Sequence, residues 1–323
     1  MAHDYRSSYL VSGGREPGCA DVPLEAPAPP ERAPDAHRPV IFLAPARSHS
    51  SVVATMIGSH PECFGFPELY LFDHATVGAR LDAPPALGKT PPGWNPVPGL
   101  GRAIAELHEG QQSPASIAAA RRWLEERRSW SGADIFDHLL RLVAPRIGVE
   151  KSPETVNGKD KMSRALNAYP HARFLHLARH PITAMRSLQA HYVLFDHPTH
   201  CALSWFNQHR RILDFTAGLP AGQFILVRSE SVLNSPESEL ERIARWIGVS
   251  EDPDATCAMR HPELSPFARP APDVAYGGND PGFLRQPTPR AVQLPRSLDP
   301  PPAWRIPGDV WSQVEEVARA LGY

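Results

Sequence analysis

An α/β fold, a parallel sheet with helices on both faces, is the architecture that these 323 residues predict. Three observations predict it. Short, near-continuously apolar runs such as Val40-Ile41-Phe42-Leu43 alternate with helical patterns, as strands buried on both faces require. Charged residues stand just past those runs: Arg47, Glu68, Glu150 and Arg179 each fall at the carboxyl end of a strand, where open sheets of this kind bind ligands. The first run leads through a short polar turn into an amphipathic helix (Val52, Val53, Met56, Ile57), and a helix N-terminus in that position is a ready anion site.

The elements follow in order. Residues 1–37, rich in Pro and Ala, read as a disordered or linker-like leader, and 38–323 as a single domain. After the first strand and turn, Gly65 to Phe72 reads as a strand end leading into a helix, and 80–98 as loop. Three helical patterns at 101–110, 114–128 and 133–144 form a helical insert over about 100–144, punctuated by Ser113-Pro114 and Ser131-Gly132. The charge run from Arg121 to Arg128 is a solvated helix face. Strands follow at 147–153 and 172–179. Pro181 opens a helix to about Leu194, and a second helix covers 200–216. A strand at 224–227 and a helix from Glu237 to Ile247, stopped by Gly248, come next. Residues 262–307 hold many prolines and no periodicity, so they read as a long ordered loop or lid before a closing helix at 309–321.

Composition excludes several classes. The net charge of −2 leaves no basic field for nucleic acid. Cys19, Cys63, Cys201 and Cys257 show neither CxxC spacing nor a disulfide framework, which fits a reducing cytoplasm. No apolar run reaches the ~18 residues of a membrane span, and the first residues lack a signal-peptide core. The spacing His197-x-x-His200-Cys201 is a poor metal motif because no distant ligand pair accompanies it.

In the turn Pro45-Ala46-Arg47-Ser48-His49-Ser50-Ser51, hydroxyls and one arginine suit phosphate or sulfate oxygens. The turn is P-loop-like in placement, but G-x-x-x-x-G-K-[ST] is missing, so ATP chemistry is not implied. Arg179 at a strand end and Ser187 on the next helix can grip one phosphate from two sides.

Taken together, these segments resemble the sulfotransferases that use 3′-phosphoadenosine 5′-phosphosulfate (PAPS). The 45–51 turn resembles the family's P-R-S-G-T-T loop for the 5′-phosphosulfate. Phe174 to Arg179-His180-Pro181, with Ser187, resembles its 3′-phosphate segment, and Glu150-Lys151-Ser152-Pro153 its E/D-K-[ST]-P segment. The chain is most similar to the bacterial members associated with polyketide assembly lines. Their P-P-E-L-x-L-L, G-D-P-x-F and L-G-Y segments are matched by Phe66 to Phe72, Gly277 to Phe283 and Leu321-Gly322-Tyr323. His49 departs from the usual loop Gly, and the loop Pro is displaced by one position.

The resemblance implies a sulfotransferase fold, PAPS as co-substrate with no metal, and an in-line sulfuryl transfer. Arg47, Ser48, His49, Ser50, Ser51, Arg179, Ser187 and Arg285 would bind the donor, with Arg47 beside the leaving oxygen and Lys151 orienting the sulfonate. Glu150 matches the base of heparan-type members, and Glu68 that of tyrosylprotein-type members; His176, His191 and His197 are further alternatives. The acceptor implied is a hydroxyl on a specialised metabolite, either free or carried by an acyl carrier protein, with no nucleic acid or membrane involved. A sugar, phenol or peptide tyrosine acceptor stays open, as does a nucleotide-binding protein that has lost catalysis.

Overall fold

The computed structural model describes residues 27–29, 37–84, 97–192, 195–271 and 277–323. Most of the 1–37 leader, most of the 80–98 loop and Leu194 therefore lie outside the described residues. Val40–Leu43 (β1), Cys63–Gly65 (β2), Ile147–Lys151 (β3), Arg173–Ala178 (β4) and Phe224–Arg228 (β5) form a parallel sheet in the order β2-β3-β1-β4-β5. The chain leaves β1 toward one edge and returns past it toward the other. The switch point therefore falls between β1 and β4, and their carboxyl ends open the crevice.

Side chains alternate across the sheet. Ile41, Leu43 and Phe174 face the helices Pro98–Glu109, Gly132–Val143 and Lys159–Ala168, the first two of which belong to the insert. Val40, Phe42, Leu175 and Leu177 face Ser50–Gly58 and Pro236–Ile247. A third cluster joins Pro181–His191, Pro198–Thr216 and the closing helix Gly308–Ala320.

Much of the proline has a local use: Pro98, Pro114, Pro181, Pro198, Pro236 and Pro281 each open a helix, where a missing N–H costs nothing. The insert helices fall where their caps predict, with Ser131 and Asp134 closing a capping box. The Gly65 to Phe72 expectation is corrected: no helix starts there, and the next is Val77–Leu81. The Glu68 amide donates to the Gly278 carbonyl at 2.6 Å and the Tyr70 amide to Ser152 Oγ at 2.8 Å, so tertiary partners claim the N–H groups a helix would use. The helix from Pro181 ends at His191. Among the described residues of 262–307 the chain folds the short helix Pro281–Arg285 and two 3₁₀ turns.

Arg102 ties the insert to this C-terminal loop. It is 1% exposed. It donates to the Gly277 carbonyl, to the Arg269 carbonyl at 2.7 Å and to Gln112 Oε1 at 2.6 Å. Arg102→Ala strands buried acceptors and should cost about 3 kcal/mol or more in urea unfolding. A loss under about 1 kcal/mol would show that the clamp is dispensable.

Candidate active site

After β1 the backbone turns sharply. Arg47 (φ 67°) and His49 (φ 61°) both adopt left-handed conformations, the second at the position where a glycine is usual. His49 Nδ1 lies 3.0 Å from Ser229 Oγ. Burial, then Arg179 and Arg47, push its pKa down to about 3, so the imidazole is neutral and adds no charge to the turn. The Ser50–Gly58 helix has no side-chain cap, which leaves its first amides and its dipole free to meet an anion. Ser48, Ser50 and Ser51 are buried against it.

Arg47 reaches across the crevice. Its Nε donates to Ser187 Oγ at 2.9 Å, its Nη1 pairs with Asp280, and its Nη2 lies 3.4 Å from His191 Nε2. Arg179 donates from Nη1 to the Arg47 carbonyl at 2.7 Å and from Nε to Thr183 Oγ1 at 3.1 Å. Burial lowers the Arg179 pKa to about 10, so it stays cationic at neutral pH. Arg47, Arg179 and Ser187 thus meet at one cleft, with Arg47 bridging groups expected at opposite ends of a ligand. Glu230 supports this cleft from behind: it accepts from the His180 amide at 2.8 Å and from the Tyr323 hydroxyl at 2.9 Å.

The acidic side is set by strand alternation in β3. Lys151 lies opposite Phe42 and Glu150 opposite Ile41, so the two neighbours leave the sheet on different faces. Lys151 Nζ donates to Glu68 Oε1 at 2.5 Å, to Ser51 Oγ at 3.0 Å and to Asn279 Oδ1 at 3.3 Å. Glu68 keeps 15% of its side chain exposed. Glu150 has none exposed and accepts a hydrogen bond from Ser152. The structure brings Glu68 and Lys151 to the cleft beside Ser51 and leaves Glu150 beneath it.

A family model described as "Sulfotransferase family" matches residues 39–254. The chain belongs to the sulfotransferase family. The fold of this sulfotransferase is similar to that of the "Sulfotransferase Domain from the Curacin Biosynthetic Pathway", at 19% identity and a TM-score of 0.67 over 89% of this chain and 98% of that one. It is equally similar to the "Sulfotransferase Domain from the Synechococcus PCC 7002 Olefin Synthase", at 24% identity and a TM-score of 0.67 over 90% and 98%. A search of curated proteins finds no match.

Other candidates fall away from the cleft of the sulfotransferase. Arg285 is exposed at the end of its short helix and, among the described residues, bonds to none of Arg47, Arg179 and Ser187. His176 is wholly buried, 2.8 Å from His209 Nδ1, and His197 caps a helix through Thr199. Of the three histidines only His191 touches the site. Among the described residues no group of three His, Cys, Asp or Glu could hold a metal. Asn279, Asp280, Glu230 and Tyr70 were not legible as site residues; their partners lie up to 233 residues away in sequence.

The buried groups also set the sulfotransferase's acid stability. Burial lowers His176 to about 3 and, with His176 beside it, holds His209 well below its ordinary value; His49 is likewise near 3. These rings are neutral when folded and take up protons when unfolded below pH 6.5, so their stabilisation is lost as pH falls from about 6.5 toward 3. Burial raises Glu150 and Glu154 to about 7, and these add stability as pH falls from 7 to 4.5. Lowered histidines, which also include His138 at about 4, His37, His74, His108 and His180, outnumber the raised acids Glu150, Glu154 and Asp73, so the melting temperature should fall as pH drops below 6.5 and fall most steeply below 4.5, where Glu150 and Glu154 no longer oppose them. A level or rising melting temperature below pH 4.5 would contradict this balance.

Proposed function

We propose that this sulfotransferase moves a sulfonate from PAPS to a hydroxyl of a specialised metabolite, in its sharpest form a polyketide or acyl chain on an acyl carrier protein. The observation that carries the proposal is the shared cleft: Arg47, Arg179 and Ser187 join around an uncapped helix N-terminus, and Glu68 with Lys151 stands at the same loop through Ser51. The donor set is chemically apt for a nucleotide with two anionic ends. The amides of Ser48 to Ser51 and Arg47 suit the phosphosulfate; Arg179 and Ser187 suit the 3′-phosphate.

PAPS supplies the activated sulfuryl group. Arg47 stabilises the charge that gathers on the leaving oxygen, and Lys151 holds the sulfonate in line. Glu68 takes the acceptor proton; it is preferred over Glu150 because its carboxylate reaches the surface of the cleft. A small pocket whose walls include Leu71, Val77, Leu100, His74 and Arg80 shares Tyr70 with this site. The curacin and olefin synthase domains share the fold, which supports the polyketide version over a sugar or phenol. Among the described residues no helix is long and apolar enough to cross a membrane. With Cys63, Cys201 and Cys257 free, we place the enzyme in the cytoplasm.

Calorimetry tests the donor. 3′-Phosphoadenosine 5′-phosphate should bind without magnesium and ATP should not compete; preference for magnesium-ATP would end the proposal. A screen of PAPS-dependent transfer to carrier-bound, sugar and phenolic acceptors then tests the acceptor class.

A further inference from the structure

Tyr70 is an aromatic residue in a backbone conformation that aromatic residues avoid, with φ 55°. The chain around it is held on several sides. The Tyr70 amide donates to Ser152 Oγ at 2.8 Å, and the Ser152 hydroxyl in turn donates to buried Glu150. Gly99 packs so closely on Glu68 that an added Cβ would sit 2.1 Å from the Glu68 carbonyl oxygen, and Gly132 packs as tightly on the Leu71 carbonyl. The consequence appears at the far end of the side chain. The Tyr70 hydroxyl donates to Glu68 Oε2 at 2.6 Å, while Lys151 holds Oε1. The ring is also a wall of the small pocket, with the Arg80 guanidinium 4.7 Å from its centroid.

We propose that Tyr70 is a positioning residue for Glu68, fixing its carboxylate beside Lys151 and the Ser51 end of the turn after β1. This rests on the sulfotransferase reaction with Glu68 as its base. Strain in the backbone is retained because the turn delivers the hydroxyl to one carboxylate oxygen while Lys151 takes the other, so the carboxylate cannot rotate away. Burial and Glu68 keep the phenol far from ionising, so it acts as a donor throughout the working range. The groups around Glu68 are Lys151 and Arg47 as cations, Glu150 and Glu154 as acids, and the phenols Tyr70 and Tyr192.

Tyr70→Phe removes the hydroxyl and keeps the ring. With wild type active, the variant should lose about 10- to 100-fold in kcat, with KM for PAPS and binding of 3′-phosphoadenosine 5′-phosphate unchanged. In a Glu68→Gln background the same substitution should have no further effect. Tyr70→Met, which retains apolar bulk, is measured in parallel and serves alone if the Phe variant does not fold. Wild-type protein that transfers nothing from PAPS disproves the donor reaction itself. An active wild type matched by Tyr70→Phe or Tyr70→Met in kcat, a loss that falls on KM or on binding of 3′-phosphoadenosine 5′-phosphate instead, or additive effects in the double variant, overturns the role of Tyr70 alone.

Discussion

Arg47→Ala should lower kcat/KM by about a thousandfold or more. Arg47 reaches both Ser187 and Asp280 while its own carbonyl is held by Arg179. In the proposed reaction its removal takes a cation from the place where charge would gather. It also leaves the Asp280 carboxylate unneutralised beside the donor cleft, where it would repel an anionic nucleotide. Arg47→Lys keeps the charge and loses the planar fork, so one ammonium must choose between Ser187 and Asp280; it should recover only part of the rate. Calorimetric titration with 3′-phosphoadenosine 5′-phosphate should show weaker binding in both variants. An alanine variant within about tenfold of wild type would remove Arg47 from the mechanism.

Glu68→Gln should lower kcat by about 10²- to 10⁴-fold while donor-product binding stays near wild type. Glutamine is isosteric and keeps one oxygen to accept from Lys151, while its amide nitrogen donates to the Tyr70 hydroxyl, and the group can no longer take a proton. Glu150→Gln is the matching control. Glu150 touches Ser152, lies wholly inside and is half-protonated near pH 7, so its amide should leave kcat close to wild type. The reverse pattern, with Glu150→Gln inactive and Glu68→Gln active, would move the base to Glu150 and require the segment over it to open.

Much of this architecture was legible before any coordinates. The apolar runs became β1, β3, β4 and β5 within a residue or two, because strands covered on both faces can hold little else. The insert helices were legible from Ser113-Pro114 and Ser131, since caps act within one turn of chain. His49 at a glycine position implied a left-handed residue, and φ 61° is what the turn adopts. The segment from Gly65 to Phe72 was misread because its amides bond to Gly278 and Ser152, residues that no local pattern connects to it.

The order of residues, then, carried the sheet, the placement of charges at its carboxyl edge and the polar turn after β1, since each depends on neighbours a few positions apart. It did not carry which acid faces the cleft. Glu150 and Lys151 are adjacent in the chain and part to opposite faces of one strand, and Glu68 reaches Lys151 from the far side of a crossover. That choice is made by parallel register and by close backbone packing at Gly99, both long-range contacts that exist once the chain has folded.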